Sequence, residues 1–490
     1  MLARALRYSA FSGLALSGAA LAWRASHGPY HVFVLPVTSP LNAQSVFGLC
    51  ATVLLLLGSR RHEPKLEMPL RHAWLWLLLI LALSAAALWT AARFPLVFDD
   101  YTLARYGEQM NRAAVKSYFT QPGGDGFFRP VGYLSFGLDA LWAGRDPLRW
   151  HLTGLILHLA NITLVWLLAR RLLAHRVAAL WAAALFAVHG TVLLTPTYLA
   201  ARFDVLAVFF VLGGLALFLR YLDAHSLPLL AAGLVFLLLA LWTKETAYCF
   251  PFLAALLAGR QGMEHKRALA ACFALTAAAF AYRLSLFHGL GGYPGSSNFF
   301  LSLLKGFALR IWSAFYFPLN WSRPLEPWLT LVLLIALLTL GRITRQADGS
   351  RRAYCIALGF TILALLPLAQ FLLVDDTLLA AGRFYLALAG FAMFLGAALG
   401  ALPIRERWAA GAILVLFQLA ALRHNETIWR ETAALADQTC AAATRFDTLA
   451  RASSLPREIN GVPFLGNGFE ACVVFHQSGG AAGPAPSPTP

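Results

Sequence analysis

The sequence predicts an all-α polytopic membrane protein, a bundle of about 13 transmembrane helices with amphipathic helices in its outer loops. Three observations predict it. The 490 residues are 59% hydrophobic and only 13% charged, where ordinary soluble chains carry about 25% charged residues. The apolar runs are about 15–24 residues long, the length that crosses a bilayer core as a helix. Basic residues recur in short loops between alternate runs, as they do where Lys and Arg stay on the cytoplasmic side. Those loops account for the net charge of +16. No basic helix with interleaved aromatics lies outside the apolar runs, so nucleic acid is rejected as a partner and the lipid bilayer is the expected one.

The first segment, 8–23, follows Arg4 and Arg7 and reads either as a cleaved signal peptide or as a retained first span. A polar loop with His27, Pro29 and His31 leads to a second span at 42–58, and Arg60, Arg61, Lys65 and Arg71 mark a cytoplasmic loop. Residues 1–71 thus form two N-terminal spans, and 72–423 the main membrane domain. The third span, 72–92, carries the chain to the outer face and delivers Asp99 and Asp100 there. Within the outer segment 93–148, residues 101–119 read as one amphipathic helix through Leu103, Tyr106, Met110, Ala114 and Tyr118. Gln121 to Gly126 read as a turn or flexible loop, and Pro130 opens a short helix over 130–142.

Span four, 149–172, ends in Arg170 and Arg171, and its His151, His158 and Asn161 share one helical face that should point into the bundle. Span five, 177–194, leads to a short outer loop, Thr195 to Asp204, which carries Arg202 and Asp204 before span six returns to Arg220. Two short apolar stretches, 228–243 and 246–259, flank Thr243-Lys244-Glu245-Thr246 and read as tilted spans or a broken, partly re-entrant pair. After a span at 268–286 comes an outer loop, 287–324, with an aromatic amphipathic helix expected over 299–317. Spans at 325–341, 353–374, 384–402 and 408–423 complete the bundle; Asp375 and Asp376 in an outer loop read as solvated acids or a helix cap. The N-terminus is then cytoplasmic and the C-terminus outside. The tail, 424–490, is expected to hold a helix to about 452, a small hairpin turning at Asn460-Gly461 and a disordered Pro/Ala/Ser end.

Cys50, Cys249, Cys272 and Cys355 lie in apolar runs and read as packing residues. Cys440 and Cys472 both fall in the outer tail, where a disulfide is plausible in an oxidising compartment.

Ionisable residues at span ends carry the candidate chemistry. Asp99 and Asp100 sit at a membrane edge, where desolvation raises a carboxyl pKa and suits it to act as a base. Either could be the base, and the other could orient an acceptor or hold a divalent cation. Arg129, Arg202, Lys244 and Arg383 are all placed outside near span ends, and arginine suits bidentate phosphate contact. Each has a plain structural reading beside this one. Adjacent aspartates can cap the helix that follows them, arginines at span ends can anchor at the interface, and Lys244 and Glu245 can pair with each other. Convergence on the outer face favours transfer of a sugar from a lipid carrier, which needs a base, cations for the leaving phosphate and a groove for the lipid tail.

The residues in order are FDD, then FFRPVGYLSFGLDALWAGRDPLRWHLTGLILHLANITLVWLLARRL, FAVHGTVLLTPTYLAARFDVLAVFFVLGGLALFLRY, LALWTKETAY, FALRIWSAFYFPLN and GRFYLALAGF. As an ensemble over residues 93–403 they resemble the transmembrane-and-TPR O-mannosyltransferases (TMTC type) and their bacterial relatives. The resemblance implies a GT-C-like bundle and an inverting glycosyltransferase using a polyprenyl-phosphate-linked sugar donor. It implies Asp99 and Asp100 as the catalytic acids and Arg129 and Arg383 on the phosphate, with Arg202, Asp204, Lys244, Glu245 and Tyr385 lining the substrate site. A bacterial inner membrane is the expected location. There are departures: the two N-terminal spans are additional, Gly382 stands where the family pattern usually has an acid, and a short tail stands where that family has helical repeats. The acceptor is therefore left open among protein, lipid and glycan. The alternative is a non-catalytic lipid-linked-saccharide transporter or membrane assembly subunit on the same scaffold.

Overall fold

Apolar runs in lipid must satisfy their own backbone, and this chain does so almost wholly with helices. The computed structural model describes residues 2–28, 30–32, 35–37, 40–59, 69–123, 126–173, 175–289, 291, 310–346, 349–371, 380–443 and 455–477. Expectations for Asp375 and Asp376, for Lys305 and the rest of 299–309, for Arg60, Arg61 and Lys65, for 444–452 and for the Pro/Ala/Ser end lie outside the described residues.

Among the described residues, eight helices are long and apolar enough to cross a membrane, and nine if the bent pair Arg176–Ala187 and Gly190–Thr197 counts as one span. The other four expected spans are also helices but fall short on length or composition. Leu227–Leu241 and Glu245–Ala258 are short, Leu2–His27 carries several polar residues, and Ile404–Ala442 carries charge at both ends of its apolar part. The protein is an all-α integral membrane protein. Its lipid-facing surfaces are visible on Leu70–Leu88, where Trp74, Leu75, Trp76, Leu78 and Leu79 are exposed in one stretch.

Three elements differ from the sequence reading. Residues 101–119 are not one helix but two, Asp99–Glu108 and Arg112–Thr120. The break falls at Asn111, whose side chain accepts from the Ala113 and Ala114 amides and so starts a new helix. The proposed boundary at 423 falls inside Ile404–Ala442, one continuous helix of 39 residues. At 1.5 Å per residue this helix is about 58 Å long, roughly twice a bilayer core, so it runs well beyond any span. Residues Tyr30–Val32 and Leu35–Val37 pair as a short antiparallel ribbon that the sequence reading treated only as a polar loop.

The hairpin at Asn460-Gly461 is present: Glu458–Ile459 pairs with Val462–Pro463. Asn460 and Gly461 both have positive φ (50° and 73°), as a two-residue hairpin turn requires. The N-terminal helices are not a separate body. Leu41–Gly58 packs against Ile311–Tyr316 and Pro327–Gln346, and the Thr52 and Tyr316 hydroxyls lie 3.1 Å apart. The polar face of Pro147–Leu172 points inward, with His151, His158 and Asn161 all buried.

Candidate functional site

The loop at 195–204 is the hub of the candidate site. It is irregular because Pro196 and the extended Tyr198 interrupt helix between Leu194–Thr197 and Arg202–Ala224. It lies hard against Pro147–Leu172, where a Cβ at Gly154 would collide with the Thr195 carbonyl. Four successive contacts leave this loop. The Tyr198 hydroxyl donates to Asp99 Oδ2 at 3.3 Å, and the Leu199 amide donates to Asp100 Oδ1 at 2.7 Å. Arg202 pairs with Asp139, and Asp204 pairs with Lys244 Nζ at 2.5 Å.

The two adjacent acids have different environments. Asp100 is fully buried. Its Oδ2 accepts from the Val97 amide at 3.2 Å while its own amide donates to the Val97 carbonyl at 2.9 Å, a reciprocal clasp at the start of Asp99–Glu108. Burial raises the Asp100 carboxyl well above the ordinary aspartate range, with the amides of Val97 and Leu199 pulling the other way and the charge of Asp99 adding to the rise. Asp99 is half-buried, with one oxygen on Tyr198. It is preceded by Phe98 at φ 45°, ψ −116°, backbone that residues other than glycine rarely adopt.

Beyond the hub lies a cluster of alternating charges. Glu245 Oε2 accepts from Arg129 Nη2 at 2.7 Å and Nε at 3.2 Å, and its Oε1 accepts from Arg283 Nη1 at 3.0 Å. The Arg129 guanidinium also lies over the Phe127 ring, 3.9 Å from its centroid. Lys244 and Glu245 therefore pair with Asp204 and with two arginines, not with each other. Counting Arg129, Arg283 and Lys244 against Glu245 and Asp204, the cluster is net positive.

Arg202 and Tyr385, expected to line a substrate site, are both inside the protein. Arg202 is 1% exposed and is shared between Asp139 and the Trp150 carbonyl; Thr153 also donates to Asp139, at 2.8 Å. Burial raises the Asp139 carboxyl and Arg202 opposes the rise. The Tyr385 hydroxyl lies 2.6 Å from His158 Nδ1 in the middle of the bundle. Arg383 is half-buried on Ala380–Phe384, next to the start of the bent segment: a Cβ at Gly382 would come 2.7 Å from Leu194 Cδ1. A larger residue at 382 would have to shift the tip of the Leu194 side chain.

Three participants escaped the sequence reading: Asp139, Arg283 and Tyr198. The first two carried a signal: Asp139 is the one charge in its helix, Arg283 the one charge beyond the first turn of its own, and such a charge in an apolar stretch calls for a buried partner. Tyr198 carried none. Cys440 and Cys472 are joined by a disulfide. Of the other cysteines, Cys249 and Cys272 are buried while Cys355 is exposed on its helix.

Both Asp100 oxygens are committed to backbone amides, so the pair offers a cation one carboxylate rather than two. Among the described residues no group of three or more His, Cys, Asp or Glu is arranged to hold one.

No family model matches the chain. A stretch of 125 residues is 36% identical to the protein O-mannosyl-transferase Tmtc1 of Drosophila melanogaster. That stretch is 26% of this chain, and the match spans 15% of the fly protein's length.

Proposed function

We propose that the protein is an inverting glycosyltransferase that moves a sugar from a polyprenyl-phosphate carrier to an acceptor hydroxyl at the outer face of a membrane. The observation that carries the reading is the 198–204 hub, which bonds a half-buried carboxylate through Tyr198 and a net-positive cluster through Asp204. The partial likeness to an O-mannosyl-transferase supports the reaction class. The Cys440–Cys472 disulfide supports the outer placement, because it joins the segment packed on Asp99–Glu108 and such bonds persist in oxidising compartments. A bacterial inner membrane with a cytoplasmic N-terminus fits the basic loops.

In this reading Asp99 is the base. Asp100 is sealed off by amides and serves to fix the turn. Asp99 takes the proton of the acceptor hydroxyl as its oxygen attacks the anomeric carbon. The bond from that carbon to the carrier phosphate breaks, the phosphate keeps the electron pair, and a single displacement inverts the centre. Arg129, with Arg283 and Lys244 behind it, and Arg383 offset the charge developing on the phosphate. Arg202, paired with Asp139, holds the hub in place.

The test is transfer from a polyprenyl-phosphate-[3H]mannose donor by purified protein and by its Asp99→Asn variant. Loss of transfer in a folded variant is expected. Full transfer by the variant would sink Asp99 as the base, and no transfer by the parent protein would favour the non-catalytic alternative.

A further inference from the structure

The C-terminal tail reaches the acidic motif at its most unusual backbone position. The Phe98 amide donates to the Phe464 carbonyl at 2.8 Å. Gly468 lies so close to the Phe98 carbonyl that any Cβ there would overlap it, and a Cβ at Gly466 would come 2.5 Å from the Phe98 ring. Three residues further along the same helix, Tyr101 packs edge-on against Phe475, with ring centroids 5.5 Å apart. Phe464, Leu465, Phe469 and Val473 are all buried, so this stretch of tail is part of the packed structure rather than an appendage.

The tail is itself fastened. The Cys440–Cys472 disulfide joins the end of Ile404–Ala442 to Phe469–Gln477, and both cysteines are buried. At the hairpin, the Asn320 and Ser322 side chains donate to the Asn460 carbonyl, each at 2.9 Å.

Phe98 has positive φ without being glycine, and such a conformation persists only where surrounding contacts over-determine it. Released, the residue relaxes toward negative φ. That rotation redirects the next Cα–Cβ bond, which belongs to Asp99. Asp100 is held separately by the Val97 and Leu199 amides, so the effect falls on Asp99.

We propose that Phe98, gripped by residues 464–468 and held there by the disulfide-fastened tail, is a positioning residue that sets the direction of the Asp99 carboxylate. The catalytic part of this inference rests on the glycosyltransferase reading; the grip itself does not. It assigns the tail a task within the protein's own site.

Two variants test it from different sides of the grip, Gly468→Ala and the double variant Cys440→Ala/Cys472→Ala. Hydrogen–deuterium exchange by mass spectrometry reads the grip directly. Both variants are expected to raise exchange in residues 97–101 at least tenfold while the Arg176–Ala187 helix exchanges as in the parent protein. Unchanged exchange at 97–101, or a rise spread over all helices, overturns the grip. Release of polyprenyl phosphate from polyprenyl-phosphate mannose reads positioning. A fall in kcat with an unchanged donor KM is expected, because the base moves while the phosphate contacts stay. If exchange rises locally and kcat is unchanged, positioning is overturned. If exchange rises locally and even the parent protein releases no polyprenyl phosphate, the glycosyltransferase reading fails and the grip stands.

Discussion

The Leu199 amide donates a 2.7 Å hydrogen bond to the Asp100 carboxylate, 99 residues away in sequence. The neighbouring Tyr198 hydroxyl reaches Asp99. One turn of loop thus handles two adjacent acids in opposite ways, burying one and leaving the other half-exposed. The predictions follow from that division of roles.

Asp99→Asn should lower sugar transfer by about a hundredfold or more, the range a positioned general base contributes. The Tyr198 hydroxyl can still donate to the asparagine oxygen, so the melting temperature should stay near that of the parent protein. Transfer and thermal melting measured on the same preparation check both halves.

Asp100→Ala should destabilise the fold. It leaves the Val97 and Leu199 amides buried without acceptors, at a cost of about 1–3 kcal/mol each. Asp100→Asn keeps one acceptor oxygen and should cost less. Denaturant or thermal unfolding in detergent ranks the two, and equal melting points would contradict the clasp.

The same residue makes a pH prediction. Its folded carboxyl is raised above the unfolded value by burial, so folding favours the protonated form. This contribution is complete below the unfolded pKa and is lost as pH rises through the folded pKa. Asp100→Asn should therefore flatten the fall in melting temperature as pH rises above the ordinary aspartate range. Melts across that window against the parent protein read it out.

Arg202→Met alone should cost about 3–5 kcal/mol, since it strands Asp139 in the interior. The double change Arg202→Met/Asp139→Leu should recover most of the stability and keep transfer activity. A double variant that folds but does not transfer would move Arg202 from the scaffold into the substrate site.

Arg129→Gln should raise the donor KM or lower kcat by about ten- to a hundredfold, the worth of one or two charge-assisted hydrogen bonds in the transition state. Steady-state kinetics with the polyprenyl-phosphate donor decide between the two effects.

How much could be read in advance differs from element to element. The long segments, such as 42–58, 149–172 and 384–402, were visible because about twenty apolar residues in a row have few alternatives in lipid. The Asn460-Gly461 turn was visible because two successive positive-φ positions select those residues. The split at Asn111 was missed because hydrophobic spacing continues across it, while a single capping side chain decides it. Lys244 and Glu245 read either as substrate-site residues or as neighbours that could pair with each other. Their partners, Asp204, Arg129 and Arg283, lie on other segments of the chain, and no local pattern names them.

The sequence by itself determined the class of the protein, the run of most of its helices and a set of acids and bases near helix ends worth watching. Those properties are set by short-range chemistry: hydropathy over one span, charge at its ends, turn residues between. Only the tertiary structure decided which of two adjacent aspartates is sealed and which is open. Only it showed that Arg202 is buried against Asp139 and the Trp150 carbonyl, and that a tail more than 350 residues downstream contacts Phe98 beside Asp99. Those outcomes depend on backbone amides and carbonyls supplied by distant segments, and every residue carries the same amide whatever its side chain, so no residue type announces them.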